Sequence, residues 1–261
     1  MNPLPHKASL GAVTISRVAD NQWHAIENDL VVGRGHASRR LDGRTFLSID
    51  TWRDAVFDRL AAAMLTDADQ STPQYTVVDE TDHDLTTNWE RAGLTTWRRE
   101  SEFAVPTDLT PTAAPNGVVI TTAQEAPLRE LDQAIRAEVE SSVGWQTMPA
   151  EVLPWQGGTR PLDPSKYTVA VRDDRYVGLV RVATMTRRPR IGLVAVLADE
   201  QRQGIARALL SQVLANLHRS GFEAATAEID ETNTAALALF EGLGARRTGG
   251  ILELISRPGK A

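Results

Sequence analysis

The stretch VAVLADEQRQGIARALLSQVL, residues 194–214, joins an apolar strand, an acidic turn and a patterned helix without a break. Ile205, Ala206, Leu209, Leu210, Val213, Leu214 and Leu217 fall on one helical stripe, and Gly221 follows as a stop, so the spacing predicts a helix over 205–219. Val194-Ala195-Val196 is wholly apolar, the pattern of a buried strand. Between them Gly204 stands where the helix begins, flanked by Gln201, Arg202, Gln203 and Arg207. The first N–H groups of a helix have no internal acceptors and carry the positive end of its dipole. A turn that exposes them makes an anion site, and a glycine lets a phosphate come close to the backbone. Arg202 and Arg207 add positive charge, and Ala206 keeps the space clear, so the turn predicts a bound phosphate or pyrophosphate. The competing reading is a plain helix start in which Gly204 only eases the turn. No Lys-Ser/Thr follows a glycine pair, which excludes a Walker loop.

Working outward, VVITTA reads as a short strand, and PLRELDQAIRAEVESS places Leu128, Leu131, Ile135 and Val139 at helical spacing. KYTVAVRDDRYVGLVRVATM reads as two strands turning at Asp173-Asp174, and RIGLVAVLA as a buried strand. After the 205–219 helix come a strand, EAATAEID, a helix from Thr234 to Leu243 closed by Gly244, and a last strand, GILELI. Strands crossed by helices in this order predict an α/β or α+β fold with a mixed sheet.

TDLTPTAAPNG, residues 107–117, follows Pro106 and is too rich in proline for a helix or a central strand. It predicts a linker between a domain at 1–106 and one at 118–261. The first domain resembles part of the second. DETDHDLTTNWERAG at 79–93 aligns without gaps on DETNTAALALFEGLG at 230–244, with five identities in fifteen and Trp89 opposite Phe240. WHAIENDLVVGRGHA similarly follows YTVAVRDDRYVGLVRVA, with Gly33 opposite Gly178. An internal duplication is the reading. The halves differ at the decisive turn: TFLSID runs directly into TWRDAVFDRL, with no glycine between Gly43 and Gly93.

Of the 261 residues 24% are charged and 42% hydrophobic, as in a folded globular protein. A net charge of −6 argues against a nucleic-acid partner. The absence of cysteine removes disulfides, thiolate metal sites and a cysteine nucleophile. No apolar run approaches a membrane span and no signal peptide is visible, so a cytoplasmic location without membrane association is the expectation. His6, His24, His36, His83 and His218 show no ligand spacing, and no metal is expected.

Gln201-Arg202-Gln203-Gly204-Ile205-Ala206 resembles the Gln/Arg-x-x-Gly-x-Gly/Ala signature of the GCN5-related N-acetyltransferases (GNAT). EIDETNTAALALFEGLGA resembles that family's second signature, and the strand Val194-Ala195-Val196 precedes the first in the expected order. The resemblance covers roughly 118–255 and implies two GNAT-like domains, each a mixed, mostly antiparallel sheet flanked by helices, the first a degenerate copy. It implies acetyl-CoA as acyl donor, with Val194, Ala195 and Val196 holding the pantetheine arm. Arg202, Gln203, Gly204, Ile205, Ala206 and Arg207 would cradle the pyrophosphate, and Asn233 and Phe240 would contact the cofactor. Phe240 replaces the family's frequent tyrosine, proposed to protonate the departing thiolate. Glu228 matches a proposed general base. Asp82 stands opposite Asn233 and the first half has no cradle, so one active site per chain is expected.

Transfer from a thioester to an amine needs a free amine, a polarised carbonyl and a leaving thiolate; a strand N–H near Val196 can serve the oxyanion. Without cysteine, direct attack in a ternary complex is favoured over an acyl-enzyme. The acceptor, a small-molecule or peptide amine, would lie near AEVESSVGWQTMPAEVLPW, with Glu138, Glu140, Trp145 and Trp155 as candidate lining residues. The same tryptophans equally suit a loop anchor. A monomer or homodimer fits. The alternative function is a non-catalytic acyl-CoA-binding or sensor protein.

Overall fold

The computed structural model describes residues 12–40, 43–69, 71–142, 144, 162–184 and 188–257. The chain forms two compact units: residues 1–97 with 252–261, and residues 98–251. The strands are β1 (Thr14–Ala19), β2 (Gln22–Glu27), β3 (Leu30–Arg39), β4 (Thr45–Asp50), β5 (Gln74–Asp79), β6 (Thr95–Pro106), β7 (Val118–Thr122), β8 (Tyr167–Arg172), β9 (Arg175–Ala183), β10 (Arg190–Val196), β11 (Ala224–Asp230) and β12 (Arg246–Ser256). The helices are α1 (Asp54–Asp67), α2 (His83–Arg91), α3 (Glu125–Ser141), α4 (Ile205–Arg219) and α5 (Thr234–Glu241).

In the first unit the strand order is β1-β2-β3-β4-β5-β12, with residues 252–256 of β12 taking part. In the second it is β12-β6-β11-β10-β9-β8-β7, through residues 246–251 of β12 and 98–106 of β6. The end of the chain returns to the first unit, so that unit is built from two separate segments, and the second is the continuous run 98–251. The pairs β1–β2, β2–β3, β3–β4, β6–β11, β7–β8, β8–β9 and β9–β10 are antiparallel, and β4–β5 and β10–β11 are parallel. This is the mixed sheet with helices that the element order predicts, mostly antiparallel as the family resemblance implies.

Residues 107–117 carry no helix or strand and lie within the second unit. They are tied to α4: the Thr112 N–H donates to Ser211 Oγ at 2.9 Å, and Thr107 is fully buried with its hydroxyl on Phe222 O. The α4 bounds match the apolar stripe, because Ile205, Leu209, Leu210, Val213 and Leu214 are all buried against Ala225, Ala227, Ile229, Phe103 and Val105 of the sheet. Gly221 ends it with φ 87° and Gly244 closes the α5 turn with φ 81°.

The two halves share local devices. Asn28-Asp29 and Asp173-Asp174 both have positive φ, the geometry of a tight hairpin turn matched to strand twist. Four residues on, Gly33 lies under Val56 and Leu60 of α1, and Gly178 under Leu209 of α4. Asp79 takes the N–H and hydroxyl of Thr81, and Asp230 those of Thr232. Asp82 then caps α2 through Leu85 N and Asn233 caps α5 through Ala236 N, each at 3.0 Å. The Thr81 hydroxyl, with its N–H, holds the Asp79 carboxyl below the usual aspartate range.

Gly178 is where strand, sheet neighbour and helix meet. A Cβ there would stand 3.1 Å from Val196 Cγ2, 3.2 Å from Ala195 O and 3.2 Å from Leu209 Cδ1. Gly178→Ala is expected to cost about 1–3 kcal/mol, read by urea denaturation, since overpacking must displace α4 or β10. An unchanged midpoint would show that the helix is free to shift.

Candidate acyl-carrier and acceptor site

The site begins with a pairing that stops short. β10 and β11 are partnered only at Arg190–Thr226 and Ile191–Ala227. At that point β10 carries a bulge, its register against β9 shifting between Ile191 and Leu193 across Gly192. A bulge bends its strand, so β10 leaves β11 while keeping β9 as far as Val196–Gly178. β11 in turn pairs with β6 over its whole length, from Ala224–Pro106 to Asp230–Glu100. A wedge therefore opens between the C-terminal ends of the two parallel strands.

The wedge edge of β10 follows from strand alternation. The Leu197 N–H donates to Val177 O at 3.0 Å, so Leu197, Ala195 and Leu193 direct their backbone groups to β9. Val194 and Val196, in between, direct theirs to the wedge, where no strand pairs with them. Gln201 bends back to donate to Val196 O at 3.0 Å, leaving the N–H groups of Val194 and Val196 facing the opening. The side chains of Val194 and Val196 pack on the α4 core, and Ala195 packs on the α3 side.

The turn after β10 runs through a short 3₁₀ segment, Ala198–Glu200, into Gly204. Arg202 has φ 64° and Gly204 φ 86°, and a Cβ on Gly204 would meet nothing within 4 Å. Conformation, rather than crowding within the chain, is what requires glycine here. No side chain caps α4 and its first turn holds no acid, whereas α1, α2 and α3 begin with Asp54, Asp84 and Glu125. The opening N–H groups of α4 thus have no capping side chain, an arrangement that suits an anion. Ile205 is buried in the core and fixes the helix start, while Ala206 is half-buried.

The predicted arginines part company. Arg202 is exposed and has no hydrogen-bond or ion-pair partner among the described residues. Arg207 Nη1 donates to Gly242 O at 2.9 Å, capping α5, and a side chain at Gly242 would collide with its guanidinium. Arg207 thus offers the turn its backbone N–H, with its charge spent on the neighbouring helix end. Gln203 accepts from Arg172 Nη1 at 2.8 Å, and Arg172 also pairs with Glu200. Arg172, on β8, holds the turn in place; nothing in its local sequence marks it, since its partners lie about thirty residues on, in the turn.

On the opposite side of the sheet, Glu228 receives Arg190 Nη2 at 2.7 Å on one oxygen and Nε at 3.2 Å on the other. A base so engaged must release a guanidinium before it can take a proton. Glu138 accepts from Ala198 N through both oxygens, at 3.1 and 3.2 Å, and so caps the 3₁₀ segment from α3. Glu140 is exposed near the end of α3. Trp145 and Trp155 lie outside the described residues. Phe240 is 4% exposed, packed among the core residues of α4 and the sheet, so its ring serves the interior. Asn233 is exposed with its side-chain oxygen on Ala236 N.

The corresponding corner of the first unit is built otherwise. β4 and β5 are partnered only at Thr45–Gln74 and Phe46–Tyr75, but the Thr76 hydroxyl then donates to Leu47 O at 2.9 Å and laces the strands together. α1 starts at Arg53 in extended conformation, its guanidinium on Glu27 at 2.6 Å. That hydrogen bond holds the Glu27 carboxyl below its ordinary range. There is no turn of positive φ between β4 and α1.

Residues 129–245 match the family model "Acetyltransferase (GNAT) family". A curated relative, [Ribosomal protein bS18]-alanine N-acetyltransferase of Escherichia coli (strain K12), is 43% identical over 51 residues, 20% of this chain. The match spans 34% of that relative's length. In fold, the chain is similar to a GCN5-related N-acetyltransferase from Sphaerobacter thermophilus, with a TM-score of 0.68 and 18% identity over 94% of this chain and 83% of that one. It is also similar to a tandem GNAT protein from the clavulanic acid biosynthesis pathway, with a TM-score of 0.59 and 15% identity over 92% and 83% of the two chains. The fold is that of the GCN5-related N-acetyltransferases. Among the described residues no helix is long and apolar enough to cross a membrane, and no cluster of His, Asp and Glu suits a metal ion.

Gly204→Ala is expected to cost about 1–2 kcal/mol in urea denaturation, because an L side chain is strained in the left-handed region. Gly204→Asn should cost less, as asparagine tolerates that region. Equal losses would mean that space, not backbone conformation, holds glycine there.

Proposed function

We propose that the chain is an acetyl-CoA-dependent N-acetyltransferase whose second unit binds the donor and whose first half is a degenerate copy. The observation that carries this is the wedge: two strand N–H groups, on Val194 and Val196, open beside the uncapped start of α4. An extended amide-bearing arm can pair with such an edge as an added strand does. A pyrophosphate at its far end would then meet the N–H groups of Ile205, Ala206 and Arg207, with Arg202 supplying charge. Acetyl-CoA has both parts. Gln203 braces the turn, Asn233 shapes the start of α5, and Phe240 backs the core beneath.

In this reading a primary amine of a small molecule or peptide attacks the thioester carbonyl directly. The Val196 N–H, aimed into the wedge, steadies the oxyanion. The C–N bond forms, the C–S bond breaks, and the thiolate is protonated by water, as Phe240 offers no hydroxyl. Glu228 with Arg190 borders the acceptor side, and Glu228 accepts a proton only if that pair opens. The shared hairpin turns, packed glycines and capped Asp-x-Thr turns support duplication, and the Thr76–Leu47 lacing supports a single donor site. The second reading, an acyl-CoA-binding protein without turnover, is favoured by the Arg190 grip on Glu228.

Acetyl-CoA should raise the melting temperature well beyond phosphate at equal concentration, and thiol should be released with at least one member of a panel of primary amines. Binding without release on any amine would favour the non-catalytic reading. Ala206→Glu provides the control within the cradle. A carboxylate in the first turn suits the helix dipole, by about 0.3–1 kcal/mol, yet repels a phosphate at the same N–H groups. The variant should melt no lower than the parent and lose the acetyl-CoA shift; a retained shift would remove the anion cradle from the mechanism.

A further inference from the structure

We infer that Glu102, on β6 and therefore encoded in the first half of the chain, is the group that takes the proton from the acceptor amine. The inference rests on the acetyl-transfer reading and names a residue of the same site. Glu102 and Glu228 are direct partners across the antiparallel pairing of β6 with β11. Directly opposed residues share a face, with Cβ atoms about 4.5–5.5 Å apart. Phe103, Val105, Ala227 and Ile229 alternate with them and fill the core under α4, so both carboxylates lie on the other side of the sheet. Glu228 is one residue beyond Ala227, where the pairing of β10 with β11 ends. Glu102 thus stands beside Glu228 on the same face, one strand further from β10.

The acids on this stretch of the face differ in what they already hold. Glu228 is gripped by Arg190 through both oxygens. Glu100 pairs with Arg98. Asp230 receives Arg98 Nε at 2.9 Å on one oxygen and the Thr232 N–H and hydroxyl on the other. Glu102 is half-buried and its carboxylate has no hydrogen-bond or ion-pair partner among the described residues. On β12, Thr248 donates to the Glu102 backbone oxygen, and Gly249 lies against the carboxylate: a Cβ there would come within 3.1 Å of Oε2. Arg247 turns to Ser101 and Glu231 instead, and Arg246 is exposed.

A proton acceptor needs a free lone pair within reach of the nucleophile, and Glu102 has one without first breaking an ion pair. It takes one proton from the ammonium. The neutral amine nitrogen then forms the C–N bond, the C–S bond breaks with its electron pair going to sulfur, and the second nitrogen proton passes through water to the thiolate. Glu102 afterwards returns its proton to solvent.

The test is the pH profile of thiol release by Glu102→Gln with whichever panel amine the unsubstituted protein uses best. At pH about 7, kcat/KM should fall about 100-fold or more, with the deficit shrinking towards pH about 9.5 as solvent deprotonates the amine. The acetyl-CoA-induced melting shift should be unaltered, which separates the effect from misfolding, and Glu102→Asp should recover part of the loss. A Glu102→Gln profile within about threefold of the parent throughout, or a deficit independent of pH, overturns the inference alone. A larger loss in Glu228→Gln with the same pH shape overturns it in favour of Glu228. No thiol release by the unsubstituted protein with any amine overturns the acetyl-transfer reading and this inference with it.

Discussion

The ladder between β10 and β11 holds two residue pairs, Arg190 with Thr226 and Ile191 with Ala227. Every feature of the site follows from that short pairing. The bulge at Gly192 turns β10 away while β9 keeps hold of it, so the edge that would face β11 is left with unpaired N–H groups. Buried backbone donors without acceptors are costly, and the opening instead presents these groups to solvent. Gly204, Arg172 and Glu138 then hold the turn beyond the strand, so that the start of α4 opens beside the same wedge.

The first unit holds the matching strand pair closed. Its hairpin turn, packed glycine and capped helix repeat those of the second unit. What differs is one hydroxyl, Thr76 on Leu47 O, and a helix start with Arg53 paired to Glu27 in place of a glycine in the left-handed region. The strand exchange gives this half a further part in the molecule. β6 supplies Phe103 and Val105 to the core of the second unit and sets Glu102 and the buried Arg98 beside Glu228 and Asp230. The second unit is therefore incomplete without residues encoded before Pro106.

Much of the scaffold was legible because it rests on short-range chemistry. The apolar stripe of α4 gave its bounds at both ends, and the helix read from Thr234 begins there in α5. Gly204 was legible as the residue on which the turn depends, although the reason is its φ of 86° rather than crowding within the chain. Side-chain partnerships were not legible. Arg207 reads as a phosphate ligand until α5 is seen to end beside it, and Glu228 reads as a free base until Arg190 is found across the strand pair. Glu138, read as an acceptor ligand, proves to cap the segment after β10.

The sequence by itself determined the elements, their order, the glycine turn and the half of the chain that carries it, since helix periodicity, strand alternation and backbone conformation are set by neighbours along the chain. The tertiary structure alone decided which charges are already spent and which remain free. Ion pairs form between residues far apart in sequence, Arg190 with Glu228 and Arg98 with Asp230, and their geometry depends on sheet register. Register also brought Glu102 opposite Glu228, by way of a last strand exchanged between the two halves, an arrangement that no local pattern encodes.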